Sequence, residues 1–292
     1  MATLQFYHDS NSGCNGSTYA RRGFDVGGYW TENGMTRRPA ISKGIGCEIE
    51  CGTNTGTYDD ACDFVNNYLE PEIRKVFDEG FFKYQMDASI DYEYPVEIIS
   101  QVFTQGWYNN GGREKLAQLF DGIFSKLSMG QNDSCGNHIN ISRAMFYNDR
   151  SAWLLDEEIT NNFNKYCVLF GRKNYECEDI DTEYFRKRGY SERHEGHYTA
   201  INWAHWNEDA SARLELRIVG KASSGEQYCG YIDLILKLID ECNAKAKAET
   251  EAEKNKYKYR ETIYYSNGKK ERKVTEYMTD YTGAHCAIEK IY

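Results

Sequence analysis

Apolar and polar residues alternate along several short stretches of the chain, and side chains on a strand point to opposite faces in turn. In "GCEIECG" (46–52), Cys47, Ile49 and Cys51 share one face, and Glu48 and Glu50 share the other. In "CGNHINIS" (135–142), Ile139 and Ile141 oppose His138, Asn140 and Ser142. In "SARLELRIVG" (211–220), Leu214, Leu216 and Ile218 oppose Arg213, Glu215 and Arg217. Glu97 stands between apolar neighbours in "YPVEIISQV" (94–102). The pattern predicts strands at 44–51, 81–89, 94–102 and 135–142, and an antiparallel hairpin from 198–205 and 211–220. An Asn-Gly pair at 267–268 predicts a second hairpin over 261–278.

Other stretches carry the helical period. Leu116, Leu119, Phe120, Ile123, Phe124 and Leu127 line one side of a predicted helix over 112–127. Helices are also expected at 58–77, broken or kinked near Pro71, at 151–172 with Ser151 as N-cap, and at 226–254. Strand pairs interleaved irregularly with helices predict an α+β fold, an antiparallel sheet with helices on one face. Residues 1–40 show little periodicity and read as an irregular arm.

Composition narrows the function. The 292 residues are 40% hydrophobic and 14% aromatic, with only 3 prolines and no linker-like stretch, so one large unit is expected. A net charge of −10 disfavours general nucleic-acid binding. The segment 243–273 reverses that locally with ten Lys/Arg against five Glu, and reads as a solvated helix face and hairpin. Ten scattered cysteines form no CxxC pair, and Cys47 and Cys51 would lie about 13 Å apart on a strand. With no signal segment and no membrane-length apolar run, reduced thiols in a cytoplasmic setting are expected. Cys47 and Cys135 read as small core residues rather than nucleophiles.

Carboxylates, one imidazole and arginines on a shared strand face suit divalent cations and phosphate oxygens. No G-x-x-x-x-G-K-[ST] loop occurs, so a nucleotide would be held by metal and arginine. "RHEGHY" (193–198) lacks the spacing of a zinc protease helix.

The ordered set Gly46-x-Glu48-x-Glu50, Asp87-x-Ser89, Glu97-Ile98-x-Ser100, Cys135-Gly136-x-His138 and Leu214-Glu215-x-Arg217 resembles the amidoligase family. These are carboxylate–amine ligases related to glutamine synthetase and glutamate–cysteine ligase. The resemblance spans about residues 44–240. It implies a glutamine-synthetase-like catalytic domain at 41–245, built on a curved antiparallel sheet. A C-terminal extension, the helix end and a hairpin, would occupy 246–292. It implies ATP and Mg²⁺ as cofactors. ATP would phosphorylate a substrate carboxylate, and an amine would displace phosphate from the acyl phosphate. Glu48, Glu50, Glu97, His138 and Glu215 would ligate metal. Arg217 would contact the transferred phosphate, and Glu50 and Glu215 would join it in catalysis. Arg193, Arg213, Asn140 and Ser142 would contact the nucleotide, with Arg172 as a weaker candidate. The family often has a second histidine where this chain has Asn140. Two other readings use the same residues: a binding or structural module, for instance in a virus particle, or a phosphotransferase of the guanidino-kinase type. The carboxylate and amine, including peptides or proteins, remain open.

Overall fold

The computed structural model describes residues 4–6, 30–31, 34–35, 43–54, 64–77, 81–87, 89–100, 102–172, 199–207, 212–266, 269–279 and 285–291. A seven-stranded sheet is the organising layer. Its strands are β1 (Leu4–Phe6), β4 (Ile45–Thr53), β5 (Phe82–Met86), β6 (Tyr94–Ser100), β7 (Ile139–Ser142), β8 (Ile201–Asn202) and β9 (Arg213–Leu216). The spatial order is β1-β5-β6-β4-β7-β9-β8. All neighbours are antiparallel except β1, which runs parallel to β5 at the edge. The arm read as irregular therefore supplies an edge strand. It also supplies a small ladder of β2 (Trp30–Thr31) and β3 (Gly34–Met35).

Register carries the alternation across the sheet. Ile49 faces Ile98, Cys51 faces Val96, and Cys47 faces Ile139, which in turn faces Leu216. All are buried, and each fully buried Ile or Leu contributes about 1.5–3 kcal/mol. Helices α1 (Arg113–Lys126), α2 (Asp149–Asn161), α3 (Phe163–Leu169) and α4 (Gly225–Lys256) belong to the same core. Tyr228 of α4 stacks on Phe120 of α1 at 5.0 Å. Trp203, just after β8, stacks on Trp153 of α2 at 4.5 Å. Both cysteines of "GCEIECG" face this core, as the alternation predicts.

The ladder between β4 and β6 breaks once. After Glu48 opposite Ile99 it resumes at Ile45 opposite Phe103, leaving one extra residue on the second strand, a bulge. Ser100 Oγ accepts from the Cys47 N–H at 2.9 Å across the break. Ser100, part of the quoted motif, thus satisfies a backbone N–H at the bulge.

Several boundaries differ from the pattern. The N-cap of α2 is Asn148; Ser151 is the N3 partner of a reciprocal capping box. The expected helix over 151–172 divides at Asn161 and Asn162 into α2 and α3. Pro71 lies in the first turn of a helix, Glu70–Ile73, where its missing N–H costs nothing, and a π-turn at Val65–Leu69 precedes it. Residues 58–63 of that expected helix lie outside the described residues.

Beyond the body, α4 leads into an antiparallel sheet of β10 (Tyr257–Ser266), β11 (Lys269–Thr279) and β12 (His285–Ile291). Ser266 pairs with Lys269 around the expected turn, whose Asn-Gly pair is outside the described residues. β12 is a strand the sequence pattern missed, so the extension is three strands rather than a hairpin. Among the described residues no helix is long and apolar enough to cross a membrane.

Candidate metal and phosphate site

The second face of the sheet is polar because the same alternation that buries Ile49 turns Glu48 and Glu50 the other way. Glu50 of β4 stands opposite Glu97 of β6. Asn140 of β7 stands opposite Glu215 of β9, and Asn202 of β8 opposite the same residue. His138 precedes β7; its carbonyl accepts from Glu48 N, and the Gly136 carbonyl accepts from Glu50 N. Those bonds seat the imidazole among the glutamates.

His138 is 2% exposed and lies at the centre. Its Nδ1 is 3.2 Å from Glu48 Oε2 and 3.6 Å from Glu215 Oε1, and its Nε2 is 3.6 Å from Glu50 Oε1. Two ligand clusters result: Glu48, His138 and Glu215, and Glu50, Glu97 and His138. Within each, the donor atoms lie within 4.8 Å of one another. Every residue expected to ligate metal is in one cluster or both. Carboxylate oxygens with one imidazole suit a small divalent cation, and His138 Nε2 is buried without a hydrogen-bond partner, so the donor set fits one.

Positive groups surround the acids. Arg217 Nη1 donates to Glu215 Oε1 at 2.7 Å, and Arg217 Nε is buried with no hydrogen-bond partner. Asn202 Nδ2 holds the other Glu215 oxygen at 2.8 Å. Asn140 Nδ2 donates to Glu48 Oε1 at 2.7 Å while its Oδ1 accepts from Arg213 Nε at 3.0 Å. In place of a second imidazole, the asparagine links Glu48 to a guanidinium. Arg213 and Ser142, both expected to contact a nucleotide, are opposite each other at the far end of β7 from His138.

Electrostatics separates the two glutamates of β4. Burial pushes Glu48 up, but the hydrogen bond and charge of His138, with Asn140 and Arg217, outweigh it and hold the carboxyl at about 2. Burial dominates at Glu50 and raises it despite His138, the Gly136 N–H and Arg172, with the charge of Asp87 adding to the rise. Burial lowers the Arg217 guanidinium, yet Glu215, Glu50 and Glu48 together raise it above its ordinary value. Burial pushes the thiols of Cys47 and Cys135 up to about 12, so neither is a thiolate nucleophile at neutral pH.

Other residues join the site, among them Arg172 and Asp87 from the sequence reading. Arg172 is buried beside Gly136: a Cβ there would meet His138 Nε2 at 2.5 Å and Arg172 Nη1 at 2.6 Å. Glycine is thus required for the imidazole and guanidinium to approach the backbone. Asp87 is buried, and its Oδ1 accepts from Ser89 N at 2.8 Å. Gln131 and Asn137 exchange amide hydrogen bonds of 2.8 and 3.0 Å. Gln131 also donates to the Glu50 carbonyl at 2.6 Å, and Asn137 to the Gly220 carbonyl at 2.7 Å. This pair fixes the segment that carries Gly136 and His138. Isolated amides at 131 and 137 gave no motif to read. Arg193 and the "HEGH" stretch lie outside the described residues.

No protein-family model matches the chain, and no curated protein matches it.

Proposed function

We propose that the polar sheet face binds ATP with Mg²⁺ and that the chain is a ligase joining a carboxylate to an amine. One observation carries this reading: Glu48 and Glu50 of β4, Glu97 of β6 and Glu215 of β9 converge on the buried imidazole of His138, with Arg217 bonded to Glu215. Mg²⁺–ATP, when bound, supplies an activated phosphoryl group and the cationic charge that offsets the carboxylates.

The chain's own residues account for the rest. Glu48, Glu50, Glu97, His138 and Glu215 would hold the cation, leaving positions for phosphate oxygens and water. Arg217 is anchored through Nη1, so its unpartnered Nε is the edge left for an anionic oxygen. Arg172, whose charge reaches Glu50, adds positive potential on the other side of His138. Such fixed donors favour charge building up on a transferred phosphoryl group because they need no reorganisation. Burial of Glu50, Glu97 and His138 keeps bulk water from competing with the amine for an activated carboxyl group. Glu48, with 21% of its side chain exposed, marks the open side.

The test is calorimetry with Mg²⁺ and a non-hydrolysable ATP analogue. Binding is expected, and Glu215→Gln should weaken it at least about tenfold. No binding by the intact chain overturns the reading. Phosphate release that requires both a carboxylate and an amine separates a ligase from a guanidino-type phosphotransferase, which would leave a phosphorylated acceptor.

A further inference from the structure

The register of β4 against β7 continues into the segment before β7 begins. Gly46 pairs with Asn140 and Cys47 with Ile139. The Glu48 N–H then donates to the His138 carbonyl at 2.9 Å, and the Glu50 N–H to the Gly136 carbonyl at 3.0 Å, which keeps the same register. One step further, Cys51 stands opposite Cys135. We infer that Cys51 and Cys135 are a covalent modification site, an intramolecular disulfide that clasps the strand carrying Glu50 to the segment carrying His138. This goes beyond the proposed function and does not rest on it.

Three observations carry it. First, the N–H groups of Glu48, Glu50 and Gly52 are the ones that donate across to this segment, so Cys51 and Cys135 form a non-hydrogen-bonded pair. Such residues have Cα atoms about 4.5 Å apart, within the roughly 4.4–6.8 Å that a disulfide spans. Second, both thiols are free, buried and on the core side. Cys51 shares its face with Ile49, and Cys135 has the parity of Ile139 and Ile141. Their Sγ atoms make only weak bonds, to the Val96 carbonyl at 3.7 Å and Asn132 Oδ1 at 3.6 Å. Third, one half-buried ring covers both. Gly52 and Gly130 exchange hydrogen bonds of 3.1 and 2.9 Å, and a Cβ on Gly52 would meet Tyr92 at 2.5 Å. Burial raises the Tyr92 hydroxyl, and the charges of Cys135 and Cys51 add to the rise, which places the ring near both sulfurs.

The oxidant is a low-molecular-weight disulfide. One protein thiol gives up its proton and attacks a reagent sulfur; a mixed disulfide forms, the reagent's S–S bond breaks, and the departing thiolate takes the proton. The second protein thiol then attacks the mixed disulfide and releases the other half of the reagent as a thiol. Two protein thiols are oxidised, one reagent disulfide is reduced, and both protons end on the reagent. Burial slows the first attack in the folded chain, so the bond forms fastest while the chain folds.

The experiment refolds the full reduced chain with oxidised glutathione in excess, blocks the remaining thiols with iodoacetamide, and maps the peptides by mass spectrometry without reduction. A peptide carrying Cys51 joined to one carrying Cys135 is expected as the main disulfide among the ten cysteines. Cys51 and Cys135 both blocked overturns the inference, and so does Cys51 joined mainly to another cysteine. The bonded chain should also unfold roughly 5–15 °C above the reduced chain. That gain should vanish in Cys135→Ser and persist in Cys167→Ser. A bonded wild type with no gain overturns the clasp. The peptide map uses wild type alone, so it decides the matter even where a variant fails to fold. A chain that forms the bond yet binds neither Mg²⁺ nor Mn²⁺ loses only the proposed function. One that binds them and leaves both thiols free loses only this inference.

Discussion

The two faces of β4 are built from alternate residues of one strand, yet they do opposite things to stability. On one face Cys47, Ile49 and Cys51 meet Ile98, Val96 and Ile139. On the other, Glu48 and Glu50 meet Glu97, His138 and Glu215. The first face loses water and gains packing. The second buries charge, which costs free energy until partners offset it. Glu50, raised by burial, retains part of that cost. A sheet can carry both because the apolar face, with its helices, supplies a surplus that the polar face consumes.

The comparison can be broken in order of effect. Ile139→Ala removes a fully buried side chain at the middle of the apolar face and should lose roughly 2–5 kcal/mol in denaturant unfolding. A loss under about 1 kcal/mol would mean that the face is not the stabilising one.

Next comes a buried acid on the apolar side. Asp156 of α2 accepts from Trp203 Nε1 at 2.6 Å and Thr160 Oγ1 at 2.9 Å, and burial raises it from 3.8 to about 6. The folded chain therefore holds this proton more tightly than the unfolded chain. Its contribution is full below pH 3.8 and is lost as pH rises through about 6. The stability of wild type minus that of Asp156→Asn should fall by about 3 kcal/mol across that window. A flat difference in unfolding midpoints would refute it.

The opposite sign is expected on the polar face. Without cations, Glu50→Gln should raise stability by about 1 kcal/mol, since the amide keeps an acceptor for Gly136 N–H and removes a buried charge. The same variant should lose Mn²⁺ binding. If it destabilises like Ile139→Ala, the two faces do not differ as argued. Smallest is a control away from the sheet: Asn148→Ala removes the α2 cap and should cost about 1 kcal/mol in thermal or denaturant unfolding, with unchanged Mn²⁺ affinity.

Alternation made the strands and the two faces legible, because a period of two leaves its mark in every pair of neighbours. It brought Glu48, Glu50, Glu97, His138 and Glu215 together on paper, and they are together in the fold. What it did not reveal depends on partners distant in sequence. Arg172 follows a helix with no periodic mark, and only the fold brings it beside Gly136. The reciprocal amides of Gln131 and Asn137 have no spacing to read. Ser151 looked like a cap because it opens an apolar run, but Asn148 competes three residues earlier and takes the role. β12 is not read from the pattern, and β1 is only three residues long, too short for one.

The register of β4 also bears on how this chain can change in length. Deleting one residue between Gly46 and Gly52 would turn every later side chain over, presenting Ile49 and Cys51 to His138 and driving Glu50 toward the helices. β6 already absorbs one extra residue at the Ser100 bulge, where a hydroxyl patches the ladder. β4, paired on both edges and polarised across both faces, has no such slack. Substitutions can tune it, whereas single-residue insertions or deletions would destroy core and site at once.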